Sequence, residues 1–363
     1  MKLIHCADLH LDAPLTGVLP AALAVERKNE LLLTFRRLLS YAEREHVRAI
    51  LIAGDLFDGA LVSLSACRMV IDAIAACPEV SVYYLRGNHD AGDVFHKFRQ
   101  LPPNLYFFAE QQRSYRLGER TVLTGIELKK DSERAQLESL AINKEQLNIV
   151  MLHGQPGDYE SKGSDIRINL KLLQGRGIDY LALGHVHSFR EGRLNARGSW
   201  CMPGALEGRG FDECGARGFV LVELDEISGS ISRRFVPFAG RSLHLCPVDV
   251  TDCESTFAME QRCREALAQY PDADIVRIIL KGALAPEAEK NLPLLQRLLQ
   301  DEQYYLELRD ETSLFLDPST YACDATLKGE FIRRVLACRM PDQERDQIIA
   351  CGLRVLAGED VPL

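Results

Sequence analysis

Five short apolar segments of this chain are each followed directly by aspartate, asparagine or histidine, mostly beside a glycine. The segments have the length and composition of buried β-strands, and they span residues 3–7, 49–53, 80–85, 148–152 and 180–183. The residues that follow them are Asp8-Leu9-His10, Gly54-Asp55-Leu56-Phe57-Asp58, Gly87-Asn88-His89-Asp90, His153-Gly154 and Gly184-His185-Val186-His187. Because the carboxyl ends of strands in an open α/β sheet converge on one crevice, we expect these side chains to meet in space.

Helical patterns between the strands predict a layered α/β first domain. Residues 25–45 place one apolar stripe at helical spacing, and residues 64–76 repeat the pattern. Strand-like segments at 218–224 and 230–237 complete this domain, which we assign to residues 1–238.

A second, α+β domain is predicted for residues 241–363, after a linker at Phe238-Ala239-Gly240-Arg241. Its strand-like and helical segments lie at 274–280, 287–299, 304–308, 327–338 and 342–356. Pro293 falls inside the first helical segment and argues against a continuous helix there.

Composition excludes several classes of protein. No apolar run approaches the roughly 20 residues that span a bilayer, so we expect no membrane association. The eleven cysteines include no Cys-x-x-Cys pair, which disfavours a disulfide framework or zinc knuckle and predicts a cytoplasmic location.

Charge is distributed unevenly along the chain. The net charge is −9, and residues 241–363 carry 14 basic and 22 acidic side chains. A chain that binds nucleic acid alone is usually basic, and this one is not. The acidic second domain is either a protein-docking element or a solvated surface.

The residue types at the strand ends indicate a metal site. Carboxylate, amide oxygen and imidazole together suit divalent manganese, iron or zinc. Seven candidate ligands remain when one histidine is set aside for catalysis, which suits two ions sharing one carboxylate. Taken singly, each motif could be a turn or a hydrogen-bonded core histidine. The coincidence of all five favours the metal site.

The order of these motifs resembles that of the calcineurin-like metallophosphoesterase superfamily. The resemblance implies an α/β fold with a layered β-sandwich core flanked by helices, followed by a smaller α+β C-terminal cap domain. The chain resembles SbcD-type DNA repair nucleases of the YhaO-like branch in three features, namely residues 8–12, the chain length and the presence of the second domain. Residues 201–211 resemble the Pro-Gly-Ser loop of that group, with Ala205 in place of serine. Residues 275–278 and 328–331 carry further similarity.

The resemblance also implies roles for individual residues. One ion would be held by Asp8, His10, Asp55 and His187, and the second by Asp55, Asn88, His153 and His185. Manganese is the favoured metal, with iron or zinc as alternatives.

The remaining polar residues of the motifs receive other roles. His89 would be the general acid. Asp58 and Asp90 would orient imidazoles, or simply support turns. Arg209, flanked by glycines, is the preferred substrate-binding residue, with Arg86 a weaker candidate. Trp200 is expected to pack rather than to stack on bases.

The favoured function is therefore a metal-dependent DNA nuclease. Resemblance implies DNA, an SbcC-like coiled-coil ATPase and a second copy of the chain as partners. Segments 327–338 and 342–356 would dock the ATPase or pack the cap core. One alternative is a cyclic-nucleotide phosphodiesterase or a phosphoprotein phosphatase, which the pI of about 5.6 favours. Another is a scaffold protein with a vestigial metal site, which the complete set of ligands disfavours.

Overall fold

The fold is described from a computed structural model. It describes residues 1–15, 19–59, 62–90, 94–157, 166–285, 288–315, 321 and 323–356. The chain divides into two compact units, Met1–Ser242 and Leu243–Leu363, called the first and second unit below. Within the described segments, every helix is too short or too polar to cross a membrane.

Parallel pairing dominates the first sheet of the first unit. Its strands are β1 (Lys2–Cys6), β2 (Ala49–Ala53), β3 (Ser81–Leu85), β4 (Leu105–Phe107), β13 (Gly218–Leu224) and β14 (Ile231–Pro237). They lie in the order β14-β13-β1-β2-β3-β4, with β1 to β4 parallel and β13 antiparallel to both of its neighbours. β2 reads Ala-Ile-Leu-Ile-Ala and is buried throughout, as expected of a parallel strand covered on both faces.

The second sheet of the first unit also has a parallel centre. Its strands are β5 (Arg113–Arg116), β6 (Thr121–Gly125), β7 (Leu147–His153), β10 (Tyr180–Gly184), β11 (Arg190–Arg193) and β12 (Ser199–Met202). The order is β11-β12-β10-β7-β6-β5, with antiparallel strands at both edges. A two-stranded ribbon follows β7, formed by β8 (Gln155–Pro156) and β9 (Arg167–Ile168).

The two sheets pack face to face, which confirms the predicted layered α/β fold. Leu51 and Tyr83 of the first sheet share one apolar cluster with Ile149 and Met151 of the second. Helices flank the sandwich and are α1 (Ala21–Arg44), α2 (Leu64–Ala75) and α3 (Glu133–Glu138), with single 3-10 turns at Val94–Lys97 and Leu170–Leu173.

Contacts on the outer faces show which helix covers which sheet. Tyr41 of α1 packs edge-on against Phe219 of β13, with ring centroids 5.2 Å apart. Leu137 of α3 and Leu173 join a cluster on the outer face of the second sheet. Each sheet is thus buried on its outer face as well, as its apolar central strands require.

The second unit combines a parallel sheet with helices. Its elements are β15 (Leu243–Asp249), α4 (Thr256–Leu267), β16 (Ile275–Lys281), β17 (Ala283–Leu284), α5 (Leu292–Leu299), β18 (Tyr305–Asp310), β19 (Ser313–Leu314), α6 (Leu327–Ala337) and α7 (Asp342–Leu356). The main sheet has the order β15-β16-β18, and α4 and α5 share one apolar cluster with it. α6 and α7 pack against each other through Ile332, Val335, Ile349 and Leu353.

Pro293 lies at the start of a helix and not inside one, so the helix predicted around 287–299 is shorter than expected. α5 begins at Leu292, and the side chain of Asn291 caps it by accepting a hydrogen bond from the backbone N–H of Leu294. Pro293 therefore lies in the first turn, where the missing N–H has no helical acceptor to lose. Glu287, the predicted start of this helix, lies outside the described residues.

Candidate metal centre

The five polar motifs meet where the carboxyl ends of both sheets come together. β1, β2 and β3 are neighbours in the first sheet, and β7 and β10 pair in the second, with His153 opposite Gly184. A Cβ atom at Gly184 would lie 1.9 Å from the carbonyl oxygen of Ala53 at the end of β2. The sequence predicted one sheet edge. The structure instead builds the site from the aligned ends of two packed sheets.

The backbone is strained at several predicted ligands. Asp8, His10, Asp55 and His185 have φ values of 52°, 44°, 52° and 108°. Such conformations cost on the order of 1–3 kcal/mol each in residues other than glycine. They are held by hydrogen bonds from the N–H of Asp8 to Gly54 and from the N–H of His10 to Asp55, at 3.1 and 3.0 Å.

Two glycines leave room for the side chains of this site. A Cβ atom at Gly54, which has a φ of 95°, would lie 2.0 Å from Nδ1 of His153. A Cβ atom at Gly87 would lie 2.2 Å from Oδ1 of Asp55. Glycine is therefore required at both positions by close approach to the polar cluster, and at Gly54 by backbone conformation as well.

All seven predicted ligand residues lie in one cluster. Ligand atoms of Asp8, His10 and His187 lie within 4.8 Å of one another, and so do those of Asp8, Asp55 and His153. Asn88 joins them, because its Oδ1 lies 2.9 Å from Nε2 of His153 and 3.0 Å from Nδ1 of His185.

Three histidines of the cluster share one arrangement. Nδ1 of His10 lies 3.2 Å from Oδ1 of Asp58, and Nδ1 of His153 lies 2.8 Å from the carbonyl oxygen of Ala53. Nδ1 of His187 lies 2.6 Å from Oε1 of Glu213. An oxygen acceptor at Nδ1 assigns the proton to that nitrogen. The lone pair of each Nε2 then faces the cluster.

The donor set fits bound cations. Nε2 of His10 and Nε2 of His187 are only 3.2 Å apart, and with both protons on Nδ1 neither can donate to the other. Oδ2 of Asp55 is buried without a hydrogen-bond partner, 3.8 Å from Nε2 of His10 and 3.4 Å from Nε2 of His153. Buried acceptors facing one another are costly unless a positive charge lies among them.

The electrostatics of the cluster agree with this. Burial would raise the pKa of Asp55, but neighbouring His153 outweighs it and holds the pKa well below its usual range. Burial would lower the pKa of His153, but Asp55 and Asp8 raise it to about 9, so in a metal-free site Nε2 takes up a proton at the place where a bound cation would otherwise lie. Burial lowers the pKa of His10, against the opposing effect of Asp58. The cluster therefore retains an ionised carboxylate and attracts positive charge.

His89 stands at the open side of the cluster. Its side chain is 50% exposed, and its Nδ1 lies 3.2 Å from Oδ1 of Asp58. The same oxygen contacts Nδ1 of His10, so Asp58 touches both imidazoles. This is the orienting arrangement predicted for Asp58.

Asp90 has the turn-supporting role instead. Its carboxylate accepts hydrogen bonds from the backbone N–H groups of Leu56, Phe57 and Gly87, at 3.3, 2.9 and 2.8 Å. Burial raises its pKa to about 6, although these hydrogen bonds lower it. Asp90 thus ties the loop after β2 to the loop after β3, which is the turn-supporting alternative that the sequence left open.

Glu213 is a residue that the sequence analysis missed. It is 5% exposed, and its Oε1 contacts Nδ1 of His187. Burial opposes ionisation, but His187 and Arg209 lower the pKa of Glu213 to about 2. The available signal was an acidic residue shortly after the 201–211 loop, which is weak because Asp212 is equally acidic and exposed.

Arg209, predicted to bind substrate, is engaged inside the protein. Its Nη2 donates to Oε1 of Glu213 at 3.0 Å, and its backbone N–H donates to Oε2 at 2.9 Å. Arg86 is likewise paired with Glu127 at 2.6 Å. Trp200 packs at the edge of an apolar cluster, as predicted.

A polar cleft of about 360 Å³ adjoins the cluster, and His185 and His187 form part of its wall. Gln155, Ser188 and Arg190 also line it. Among the described residues, exposed Arg190 has no ion-pair partner, whereas Arg217 of the same cleft donates to the carbonyl oxygens of His187, Glu213 and Cys214.

Comparison with known proteins finds one family model and several similar proteins. The sequence model of the calcineurin-like phosphoesterase family matches residues 1–189. YhaO of Bacillus subtilis, described as an uncharacterized metallophosphoesterase, is 29% identical over 341 aligned positions, covering 86% of this chain and 82% of that protein. Mre11 of Methanopyrus kandleri, described as a DNA double-strand break repair protein, is 27% identical over 323 positions, covering 80% and 67%. The crystal structure of TT1561 of Thermus thermophilus aligns with 64% of this chain and 98% of its own, with a TM-score of 0.41 and 13% identity.

Proposed function

Because the chain belongs to the calcineurin-like phosphoesterase family, whose members are metal-dependent phosphoester hydrolases, we propose that it hydrolyses phosphodiester bonds of DNA. The observation that carries the hydrolase assignment is the unpartnered Oδ2 of Asp55 among the Nε2 atoms of His10 and His153. Similarity to Mre11 over 80% of the chain supports DNA as the substrate.

The predicted division of ligands is compatible with the observed distances. Asp8, His10, Asp55 and His187 would hold one ion, and Asp55, Asn88, His153 and His185 the other. Oxygen and imidazole donors without a thiolate suit manganese, with iron or zinc as alternatives. Two such ions would lower the pKa of a bound water and neutralise charge on the phosphate.

His89 is the proposed general acid. Contact of its Nδ1 with Asp58 favours a proton on that nitrogen when the ring is neutral. The imidazolium form carries a second proton on Nε2, which it would donate to the leaving oxygen. Half exposure of the ring keeps it within reach of a substrate. Asp58 would orient His10 and His89 at once.

Arg190 is the arginine best placed to contact the DNA backbone. It lines the cleft that His185 and His187 border, and it is exposed. Arg209, the residue favoured by sequence, already bonds to Glu213. We therefore propose that Arg190 contacts a substrate phosphate and that Arg209 acts within the protein.

The resemblance is the ground on which partners are proposed, and surface exposure supports the place of one of them. An SbcC-like coiled-coil ATPase would supply DNA affinity that the acidic chain lacks, and a second copy of the chain would form a homodimer. The exposed apolar residues Leu327 of α6 and Val355 and Leu356 of α7 are 72%, 57% and 42% exposed, and support this hairpin as the ATPase-docking element.

A hydrolysis assay tests the proposal. Purified protein with manganese is incubated with single- and double-stranded DNA, cyclic nucleotides and phosphopeptides, each with and without chelator. The proposal predicts metal-dependent cleavage of DNA. Cleavage of cyclic nucleotides or phosphopeptides alone would assign the alternative phosphodiesterase or phosphatase function, and no metal-dependent hydrolysis of any substrate would refute the hydrolase.

A further inference from the structure

We propose that Glu213 is a positioning residue that fixes the tautomer and orientation of His187, and that Arg209 holds Glu213 in place rather than binding substrate. This inference rests on the metal-binding part of the proposed function and is independent of the substrate. The segment after β12 would thus position a metal ligand, a role that the five strand-end motifs do not reveal.

The contacts of His187 decide which of its ring nitrogens carries the proton. Two groups lie within hydrogen-bond distance of Nδ1, namely Oε1 of Glu213 at 2.6 Å and Nη2 of Arg209 at 3.1 Å. A guanidinium can only donate and a carboxylate can only accept, so Nδ1 satisfies only one of them. The shorter contact is to the carboxylate, which places the proton on Nδ1 and the lone pair on Nε2.

Glu213 is itself held firmly by its neighbours. The side chain is buried, and both carboxylate oxygens accept hydrogen bonds from Arg209. Arg217 donates from Nε to the carbonyl oxygen of Glu213 at 3.0 Å, and from Nη1 to the carbonyl oxygen of His187. Hydrogen bonds from Arg209 hold the side chain of Glu213, and hydrogen bonds from Arg217 hold the backbone of both Glu213 and His187.

Arg209 also connects Glu213 to the rest of the site. Nη1 of Arg209 lies 3.9 Å from Oδ2 of Asp58, the carboxylate that contacts His10 and His89. Arg209 thus stands between the two carboxylates that hold imidazoles at the cluster. An arginine that binds substrate needs a free guanidinium face, whereas Nη2 of Arg209 donates to Glu213, Nη1 lies beside Asp58 and Nε is buried.

Calorimetric titration of metal-free protein with manganese tests the inference. Loss of an outer hydrogen-bond partner of a ligand histidine weakens metal binding by about 10–100-fold, so we expect that loss in Glu213→Ala. Glu213→Gln should lose less, because an amide oxygen can still accept from Nδ1. Asp212→Ala removes the adjacent exposed carboxylate and should bind as the wild type does.

Arg209→Ala separates positioning from substrate binding. Positioning predicts weaker manganese binding without any substrate present, whereas a substrate contact predicts unchanged metal affinity and a higher KM at saturating metal. Wild-type affinity in Glu213→Ala, or an equal loss in Asp212→Ala, would overturn the inference.

A spectroscopic readout does not depend on any variant. In ¹⁵N-labelled, zinc-loaded wild-type protein, the imidazole NMR signals of His187 should show a protonated Nδ1 and an unprotonated Nε2. The opposite tautomer would overturn the inference even if the variants failed to fold. Protein that binds metal in this way but cleaves no DNA would refute the proposed substrate and leave the role of Glu213 intact.

Discussion

Oδ2 of Asp55 lies 3.4 Å from Nε2 of His153, and the two atoms belong to different sheets of the sandwich. Asp55 follows β2 of the first sheet, and His153 ends β7 of the second. The site therefore depends on the packing of two sheets whose strands end at the same level. A shift of one sheet against the other would separate the ligands.

Replacement of His89 by alanine should lower DNA cleavage by about 10²–10⁴-fold while manganese affinity stays unchanged. The reason is that His89 contacts Asp58 and lies at the open side of the cluster, outside the seven proposed ligands. The comparison is steady-state cleavage of DNA and of a p-nitrophenyl phosphodiester by both proteins.

The p-nitrophenyl substrate serves as the internal control, because its leaving group departs without needing a proton. The loss in His89→Ala should be much smaller for that substrate than for DNA. Equal losses on both substrates would contradict a general-acid role.

Arg190→Ala should weaken DNA binding uniformly across sequences. Removal of one phosphate contact is expected to reduce the slope of log K against log salt by about one. Fluorescence anisotropy of labelled DNA over a series of salt concentrations measures this slope.

Arg193→Ala is the matched control for Arg190, since Arg193 is exposed on the same strand but three residues away and thus on its other face. An unchanged slope in Arg190→Ala, or the same change in Arg193→Ala, would argue against a substrate contact in the cleft.

Buried His5 should make the fold sensitive to acid. Burial lowers the pKa of His5 from its ordinary value of 6.5 to about 3. Between pH 6.5 and about pH 3, the unfolded chain therefore binds a proton that the folded chain does not. Stability therefore falls as pH falls through this range, by about 1.4 kcal/mol per pH unit from this group, and is unaffected by it at higher pH.

His5→Gln keeps a hydrogen-bonding partner for the hydroxyl of Tyr180, which lies 2.8 Å from Nδ1 of His5. Urea unfolding of both proteins in chelator, from pH 7 to pH 4, should give a shallower pH dependence for the variant. If the free energy of unfolding depended on pH in the same way in both proteins, His5 would not contribute to the acid sensitivity.

Removal of Arg27 should destabilise the first unit by about 3–5 kcal/mol. Arg27 is 1% exposed and donates to Glu207 at 2.5 Å and to Glu30 at 2.9 Å. Glu207 also accepts hydrogen bonds from Thr34 and from the backbone N–H of Gly240. Arg27→Ala would leave this carboxylate buried with its charge uncompensated.

Urea unfolding compares Arg27→Ala with Arg36→Ala, an exposed arginine on the same helix. The control should change stability by no more than about 0.5 kcal/mol. A similar small effect in Arg27→Ala would contradict the importance of this buried pair.

The strand-end motifs were predictable because they are local. A buried strand is an apolar run of few residues, and the polar residues that follow it must lie at its carboxyl end. Predicted and observed strands accordingly differ by one or two residues, as at 80–85 against Ser81–Leu85. The predicted ligands Asp8, Asp55 and His153 meet as expected.

What the motifs could not predict depends on contacts between distant segments. The split of the five strands between two sheets follows from pairing partners that a single strand does not specify. Glu213 reaches His187 from 26 residues away, and nothing local distinguishes it from Asp212. Asp58 and Asp90 both follow strands, but only the folded loops show that one touches imidazoles and the other touches backbone.

Metal stoichiometry tests the central claim most directly. Wild type and Asp55→Asn are dialysed to equilibrium against manganese. The amount of bound manganese per chain is then measured by elemental mass spectrometry. We expect two ions per wild-type chain and a marked loss of both in Asp55→Asn, since this carboxylate is proposed to bridge them. Fewer than two ions in the wild type, or two ions held equally well by Asp55→Asn, would contradict this claim.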